Sequence, residues 1–249
     1  AISGNSLSGG IYYDFLVDQD GSYSPCIPNQ QIWGQEDARF HVYQDLCVAS
    51  GGSVRVDGAG SNYTFMEDGT SVFGITADGS FTAFGEDGRR LLFGPVSGTT
   101  QWNGITLDSG NQAFGLHYVD WIYGPVITND PATKIASANV TNSYFNVAMD
   151  LSHVSDVVFD GNTVEAPDSE YPLTLSRSGV SSLDNNYLSG SNINYAVYEF
   201  PPQSLGHVNQ NTLIGHSDAG FYVNSDEGLC AGDTGSSYQP DTTFIIDDD

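Results

Sequence analysis

The chain has 249 residues, enough for one large domain or two small ones built around a substantial core. Six Lys and Arg stand against 31 Asp and Glu, a net charge of −25. This excludes DNA and RNA as partners, because a polyanion would be repelled and would gain none of the counterion release that basic side chains provide. Aromatic residues make up 12% of the chain and are spread along it, which excludes a disordered acidic segment as the source of the charge.

Near absence of Lys beside abundant Asp resembles the composition of halophile proteins, where concentrated salt screens a self-repulsion that would otherwise burden so acidic a body. A solvated, soluble surface is the simpler reading of the same charge. No run of about 20 apolar residues predicts a membrane span. The start lacks a basic stretch followed by an apolar one, so the chain is expected to be mature, processed or leaderless.

Residues 1–50 are aromatic and irregular and suit a cap over an open strand edge, which would otherwise invite aggregation. Within them "DQDGSYSP" places Asp18 and Asp20 in a D-x-D-G start like that of a calcium loop, but the distal Glu ligand is missing. A plain Asp-Gly turn explains it as well. Three cysteines are present, and a Cys26–Cys47 disulfide would stabilise this helix-poor segment by roughly 3 kcal/mol. Cys230 is then free or joined to another chain.

Between Ser53 and Val96 the pairs Asp57-Gly58, Asp68-Gly69, Asp78-Gly79 and Asp87-Gly88 punctuate short alternating runs such as "YTFME" and "RLLFG". Asp-Gly between alternating strands is a hairpin signal, so an antiparallel meander is predicted, with short rungs of a helical β stack as the alternative. The sequons Asn62-Tyr63-Thr64 and Asn139-Val140-Thr141 permit glycosylation.

From about residue 100 a repeat emerges. "FDGNTVE" from Phe159, "LDNNYLS" from Leu183 and "VNQNTLI" from Val208 share one spacing, and "VTNSYF" from Val140 keeps it with Ser143 in place of Asn. Met149, Leu173, Val197 and Phe221 follow one another at intervals of 24 residues (173 − 149, 197 − 173, 221 − 197). Runs such as "VAMDL", "PLTLS" and "AVYEF" alternate with the period of strands, and no helical period occurs. A chain that returns each strand to its own copy one circuit later is a parallel β-helix, with rungs about 4.8 Å apart. Ser143, Asn162, Asn186 and Asn211 would then stack at one corner, where Asn tolerates left-handed backbone and its amide can bond to the next rung.

On these residues the sequence resembles the right-handed parallel β-helix superfamily, the pectin-lyase-like fold, over about residues 100 to 225. The predicted fold is all-β: an N-terminal irregular or antiparallel β cap (1–99), a right-handed parallel β-helix (100–225), and a C-terminal cap with an acidic tail (226–249). The superfamily houses lyases, glycosidases, epimerases, adhesins and viral tailspikes alike, so it fixes no activity. Surface spikes of this fold are commonly trimers, which makes a homo-trimer the assembly that the resemblance implies.

If Met149, Leu173, Val197 and Phe221 point inward, Asp150, Thr174, Tyr198 and Tyr222 form an outward row, and Ser152, Ser176, Phe200 and Asn224 a second. Aromatic faces mixed with hydrogen-bonding groups over about 14 Å suit a linear glycan, although aromatic stacks also stabilise neighbouring strands. Glu199 falls in an inward row, where a bare carboxylate would cost several kcal/mol. Either the rung shifts register before Pro201-Pro202, or the acid has a raised pKa and is a candidate general acid. Asp150 would be its catalytic partner, about 10 Å away, marginal for glycoside hydrolysis. A lyase would use Arg177 and His153 on adjacent rungs, yet family lyases usually carry a calcium-binding Asp cluster, and here only Asp150 lies in the row. An acidic polysaccharide would need calcium to bridge it to so acidic a protein. The sequence therefore leads to an extracellular or virion-surface protein with a structural or adhesive role in glycan binding, and to a polysaccharide lyase or glycosidase as the rival.

Overall fold

The computed structural model describes residues 14–17, 26–65, 67–68, 71–99, 101–108, 113–129, 135–167, 171–200, 207–223 and 245–247. Side chains are described for all of these except 14–17, 67–68, 71–72, 191–195, 198–200, 216–223 and 245–247. The described residues contain strands and turns and no helix. They wind as a right-handed parallel β-helix, the hand that the twist of strands favours for parallel crossovers.

Each circuit lays one strand on each of three faces. Face A stacks Gln30–Trp33, Ser53–Val56, Ser80–Phe84, Phe114–His117, Ala138–Thr141, Val157–Asp160, Val180–Asp184 and His207–Asn209. Face B runs through Arg39–Val42, Asn62–Phe65, Leu91–Pro95, Val119–Trp121, Tyr144–Phe145 and Thr163–Glu165. Face C stacks Leu46–Val48, Ile75–Ala77, Ile105–Leu107, Val126–Thr128, Met149–Asp150 and Leu173–Thr174. The long strands Tyr187–Phe200 and Thr212–Val223 continue faces B and C together, so the two merge into one 16-stranded sheet.

The 24-residue column is real. Met149 pairs with Leu173, Leu173 with Val197, and Val197 with Phe221; the first three side chains are at most 1% exposed. The same column continues upstream as Val126, Ile105, Ile75 and Leu46.

Rungs therefore begin well before residue 100, and the antiparallel meander predicted for 53–96 is corrected. Ser53–Val56 and Asn62–Phe65 pair in parallel with the rungs on both sides. Among the described residues of this stretch, antiparallel pairing is confined to Glu67–Asp68 with Ser71–Val72, on either side of Gly69, and to the bridge Glu86 to Arg89 across Asp87-Gly88. Two Asp-Gly pairs thus mark hairpins that bulge from a circuit, and the other two mark corners of the helix.

Inside, the core is one cluster along the helix axis. On face B the inward column reads Phe40, Tyr63, Phe93, Trp121, Phe145, Val164, Leu188, Leu213. Its first four rings lie face to face, with centroids 4.5, 4.8 and 5.2 Å apart, close to the rung spacing, so stacking and strand pairing reinforce each other. Cys26 and Cys47 form a disulfide with Cα atoms 4.5 Å apart, tying the first described turn to face C.

The A-to-B corner divides its work among three consecutive residues. Asn142, Gly161, Asn185 and Gln210 hold the left-handed backbone, with φ of 51, 66, 57 and 54°. The residue after each is the buried one: Ser143, Asn162, Asn186 and Asn211 are 1–2% exposed. Left-handed geometry thus belongs to the residue before the ladder position, a correction to the sequence-based expectation. Each ladder Oδ1 accepts the N–H of the preceding rung's corner residue at 2.9 Å, from Ser143 to Asn162, Asn162 to Asn186 and Asn186 to Asn211. Each Nδ2 donates at 2.7–2.8 Å to a backbone carbonyl, those of Val140, Phe159 and Leu183. Outside, the residue before the left-handed one forms a second ladder: Asp160 accepts from the N–H of Asp184 at 2.9 Å, and Asp184 from that of Asn209 at 2.7 Å.

Candidate functional site

Alternation on face B turns the residue after each ladder position outward. Asp120, Tyr144, Thr163, Tyr187 and Thr212 are consecutive in register, and beside them run Asn146, Glu165, Ser189 and Ile214. With the corner turn they border a groove of about 430 Å³ lined by Arg90, Asp120, Asn142, Tyr144 and Thr163 among others. A second hollow of about 330 Å³ adjoins Asn146, Glu165 and Ser189.

Three polar side chains of the groove, Arg90, Asp120 and Tyr144, are paired in place. Arg90 Nε donates to Asp120 Oδ1, and its Nη2 donates to the Val119 carbonyl at 3.1 Å. Tyr144 donates its hydroxyl proton to Glu165 Oε2 at 2.8 Å. Burial, then the hydrogen bond and the charge of Glu165, push the Tyr144 phenol up to about 12, so it is a neutral donor at ordinary pH. The groove thus offers an amphipathic ring, an ion pair and neutral donors and acceptors on rungs about 4.8 Å apart.

The outward row on face C is partly established. Asp150 pairs with Thr174 and Thr174 with Tyr198; upstream the row continues through Ile127, Thr106 and Thr76. Asp150 and Thr174 are half-buried, and Asp150 Oδ1 accepts the Ser152 N–H at 2.9 Å. The side chains of Tyr198, Glu199, Phe200 and Tyr222, and all of Asn224, lie outside the described residues, as do Asp18, Asp20 and Cys230. The second predicted row is corrected: Ser152 is 5% exposed, because the chain turns into the next corner there and no longer alternates. Register also shifts between Val197 and Phe200, so Phe200 pairs with Val223 and not with Asn224. Glu199 lies within this shift, which is one of three along the strand pair, the others falling between Ser189 and Ile193 and between Ile193 and Tyr195.

His153 and Arg177 occupy equivalent left-handed positions of the C-to-A corner, with φ of 58 and 55°, and the His153 N–H donates to the Ser176 carbonyl at 2.8 Å. Arg177 is exposed. His153 Nε2 is buried and finds no hydrogen-bond partner among the described residues. Also among the described residues, no group of three His, Cys, Asp or Glu could hold a metal ion, and no helix is long and apolar enough to cross a membrane.

Sequence patterning did not single out Tyr144, Thr163 and Tyr187, although they follow the ladder residues directly and could be read from the same alignment. Arg90 and Asp120 had no such signal, because they precede the regular repeat. The chain matches no family model, no curated protein and no solved structure.

Proposed function

We propose that the protein is an extracellular or virion-surface β-helix, of the pectin-lyase-like kind, with an adhesive role in binding glycan. The observation that carries this reading is the groove on face B, where Tyr144 stands among Arg90, Asp120, Asn142 and Thr163 in a hollow of about 430 Å³. That volume falls in the usual range for ligand pockets of roughly 300–1,000 Å³. A sugar ring presents one apolar face and a rim of hydroxyls, and an aromatic ring ringed by paired polar groups complements both. The Cys26–Cys47 disulfide favours an oxidising compartment, and the net charge of −25 favours a salt-rich one.

Hydrolysis is the weaker reading of this groove. By rung geometry the Cα atoms of Asp120 and Glu165 are about 12 Å apart, and their carboxylates are engaged by Arg90 and Tyr144 respectively. Catalysis by Glu199 with Asp150, or by Arg177 with His153, is the rival.

The test is a glycan array run with the wild type, Tyr144→Ala and Tyr198→Ala, beside incubation with neutral and uronate polysaccharides read for reducing ends and unsaturated products. Wild-type binding weakened by about 1–3 kcal/mol in Tyr144→Ala, without turnover, is expected. Loss in Tyr198→Ala alone would move the site to the face C row of Asp150 and Thr174. Turnover abolished by Glu199→Gln would make the protein an enzyme.

A further inference from the structure

The strand Ala138–Thr141 carries a complete N-x-T sequon. Alternation sends Val140 inward, 0% exposed, and turns Asn139 and Thr141 to the outside of face A, with Asn139 exposed. Its in-register neighbours are Gly115 on one rung and Val158 on the next. Gly115 has no side chain, and the nearest atoms to a Cβ built there are Thr82 Cγ2 at 3.2 Å and the Asn139 carbonyl oxygen at 3.5 Å. Gly115 thus puts no side chain of its own beside the Asn139 amide, and the Thr82 side chain approaches the same place from the rung beyond.

Asn62-Tyr63-Thr64 is placed differently. Asn62 is half-buried on face B, in register between Arg39 and Leu92, two larger side chains. A glycan there would have to displace them.

We propose that Asn139 is an acceptor for an N-linked oligosaccharide and that Asn62 is not. The transferred group comes from a lipid-linked (pyro)phosphate sugar donor of the secretory route. Asn139 Nδ2 forms a bond to the anomeric carbon, the sugar–phosphate bond breaks, the lipid phosphate leaves with the electron pair, and the amide gives up one proton to the transferase. Timing permits the step at either sequon, since Ala138–Thr141 stays unpaired on one side until Val157–Asp160 has emerged and Asn62–Phe65 until Leu91–Pro95 has; the two differ in the room that the folded rung leaves for the glycan. In the folded protein the Thr141 hydroxyl is taken up by a hydrogen bond with His117 Nδ1. The inference shares with the functional reading an extracytoplasmic location and nothing of its groove.

The experiment is secretion of the full chain from a eukaryotic cell line, followed by intact mass measurement and by enzymatic glycan release in heavy-oxygen water, which labels the acceptor Asn. One glycan is expected, with the label at Asn139 and none at Asn62. Asn139→Gln and Thr141→Ala should each abolish the mass shift, while Asn62→Gln and Thr141→Ser retain it. A secreted wild type without glycan, or one labelled at Asn62 in place of Asn139, would overturn the proposal; the label is read on the wild type and needs no variant to fold.

Discussion

Phe93 and Val164 occupy the same inward column of face B, separated by the rungs of Trp121 and Phe145, yet the two halves of the helix are held together by different means. In the N-terminal half, rings stack along the axis and the corner column is apolar at Leu91 and Val119, both 0% exposed. In the C-terminal half the inward column is aliphatic, and the corner carries Ser143 and the three asparagines. The hydrogen bonds follow the residue on the next rung. Where the next rung offers a side-chain oxygen, the corner N–H takes it, as Val119 does with Ser143 Oγ at 3.1 Å and Ala38 with Ser61 Oγ at 2.9 Å. Where the next corner residue is Val119, the Leu91 N–H goes to the Tyr118 carbonyl at 3.1 Å instead. A corner N–H is therefore satisfied by side chain or by backbone according to the residue on the next rung, and that residue fixes which substitutions the corner tolerates.

Phe93→Ala should show the largest effect, a loss of about 4 kcal/mol. It removes a ring stacked on Tyr63 and Trp121 and set edge-on to Phe81 at 6.1 Å. Chemical denaturation measures it; a loss below about 1 kcal/mol would mean that the stack adds little to strand pairing.

Asn162→Leu places in the C-terminal half the side chain that the N-terminal half accepts at Leu91. It strands the Ser143 N–H, at roughly 1–3 kcal/mol for a buried group left unpaired, and takes a second donor from the Val140 carbonyl. A total near 3 kcal/mol is expected, and a neutral result would show that backbone rearrangement rescues either half equally.

A smaller effect comes from alkali. Burial, with a lesser part from the charge of Asp57, pushes the Tyr63 phenol far up, and the Tyr144 phenol is raised to about 12. Both lie above the ordinary tyrosine value of about 10, so the folded state holds these protons longer than the unfolded one. Their contribution is complete below about pH 10 and is lost as pH rises from about 10 to 12 and beyond. The Tyr63 hydroxyl is buried and finds no partner among the described residues. Tyr63→Phe should therefore raise stability at neutral pH by about 1 kcal/mol and flatten the alkaline slope. Tyr144→Phe should flatten it less, because that phenol is only half-buried. Equal slopes in wild type and both variants would contradict the assignment.

These differences also explain what the sequence could show. Met149, Leu173 and Val197 stand out because their circuits carry no insertion. Ile75 and Ile105 belong to the same column, but 30 residues separate them (105 − 75), with the Asp87-Gly88 hairpin inside that circuit, and Leu46 lies 29 residues before Ile75 (75 − 46), with the Asp68-Gly69 hairpin inside that one. The repeat therefore falls out of register upstream, and the parallel rungs of 53–96 look like a meander. Ser143 remains legible as an Asn substitute because its spacing is kept, whereas Leu91 and Val119 look like any core residue. The groove is half-legible: Tyr144 and Thr163 follow from the ladder, while Arg90 and Asp120 require the upstream register.

The division of labour within the corner is tested most directly by Asn185 and Asn186, neighbours in sequence with different tasks. Each is replaced by Gly, and stability is measured by urea denaturation. Asn185 is exposed and holds a φ of 57°, which Gly adopts freely, so Asn185→Gly should change stability by less than about 0.5 kcal/mol. Asn186 accepts the Asn162 N–H and donates to the Phe159 carbonyl inside the core, so Asn186→Gly should cost about 3 kcal/mol or more. Equal losses, or a greater loss at Asn185, would contradict the assignment of left-handed geometry to one residue and of the rung-to-rung ladder to the next.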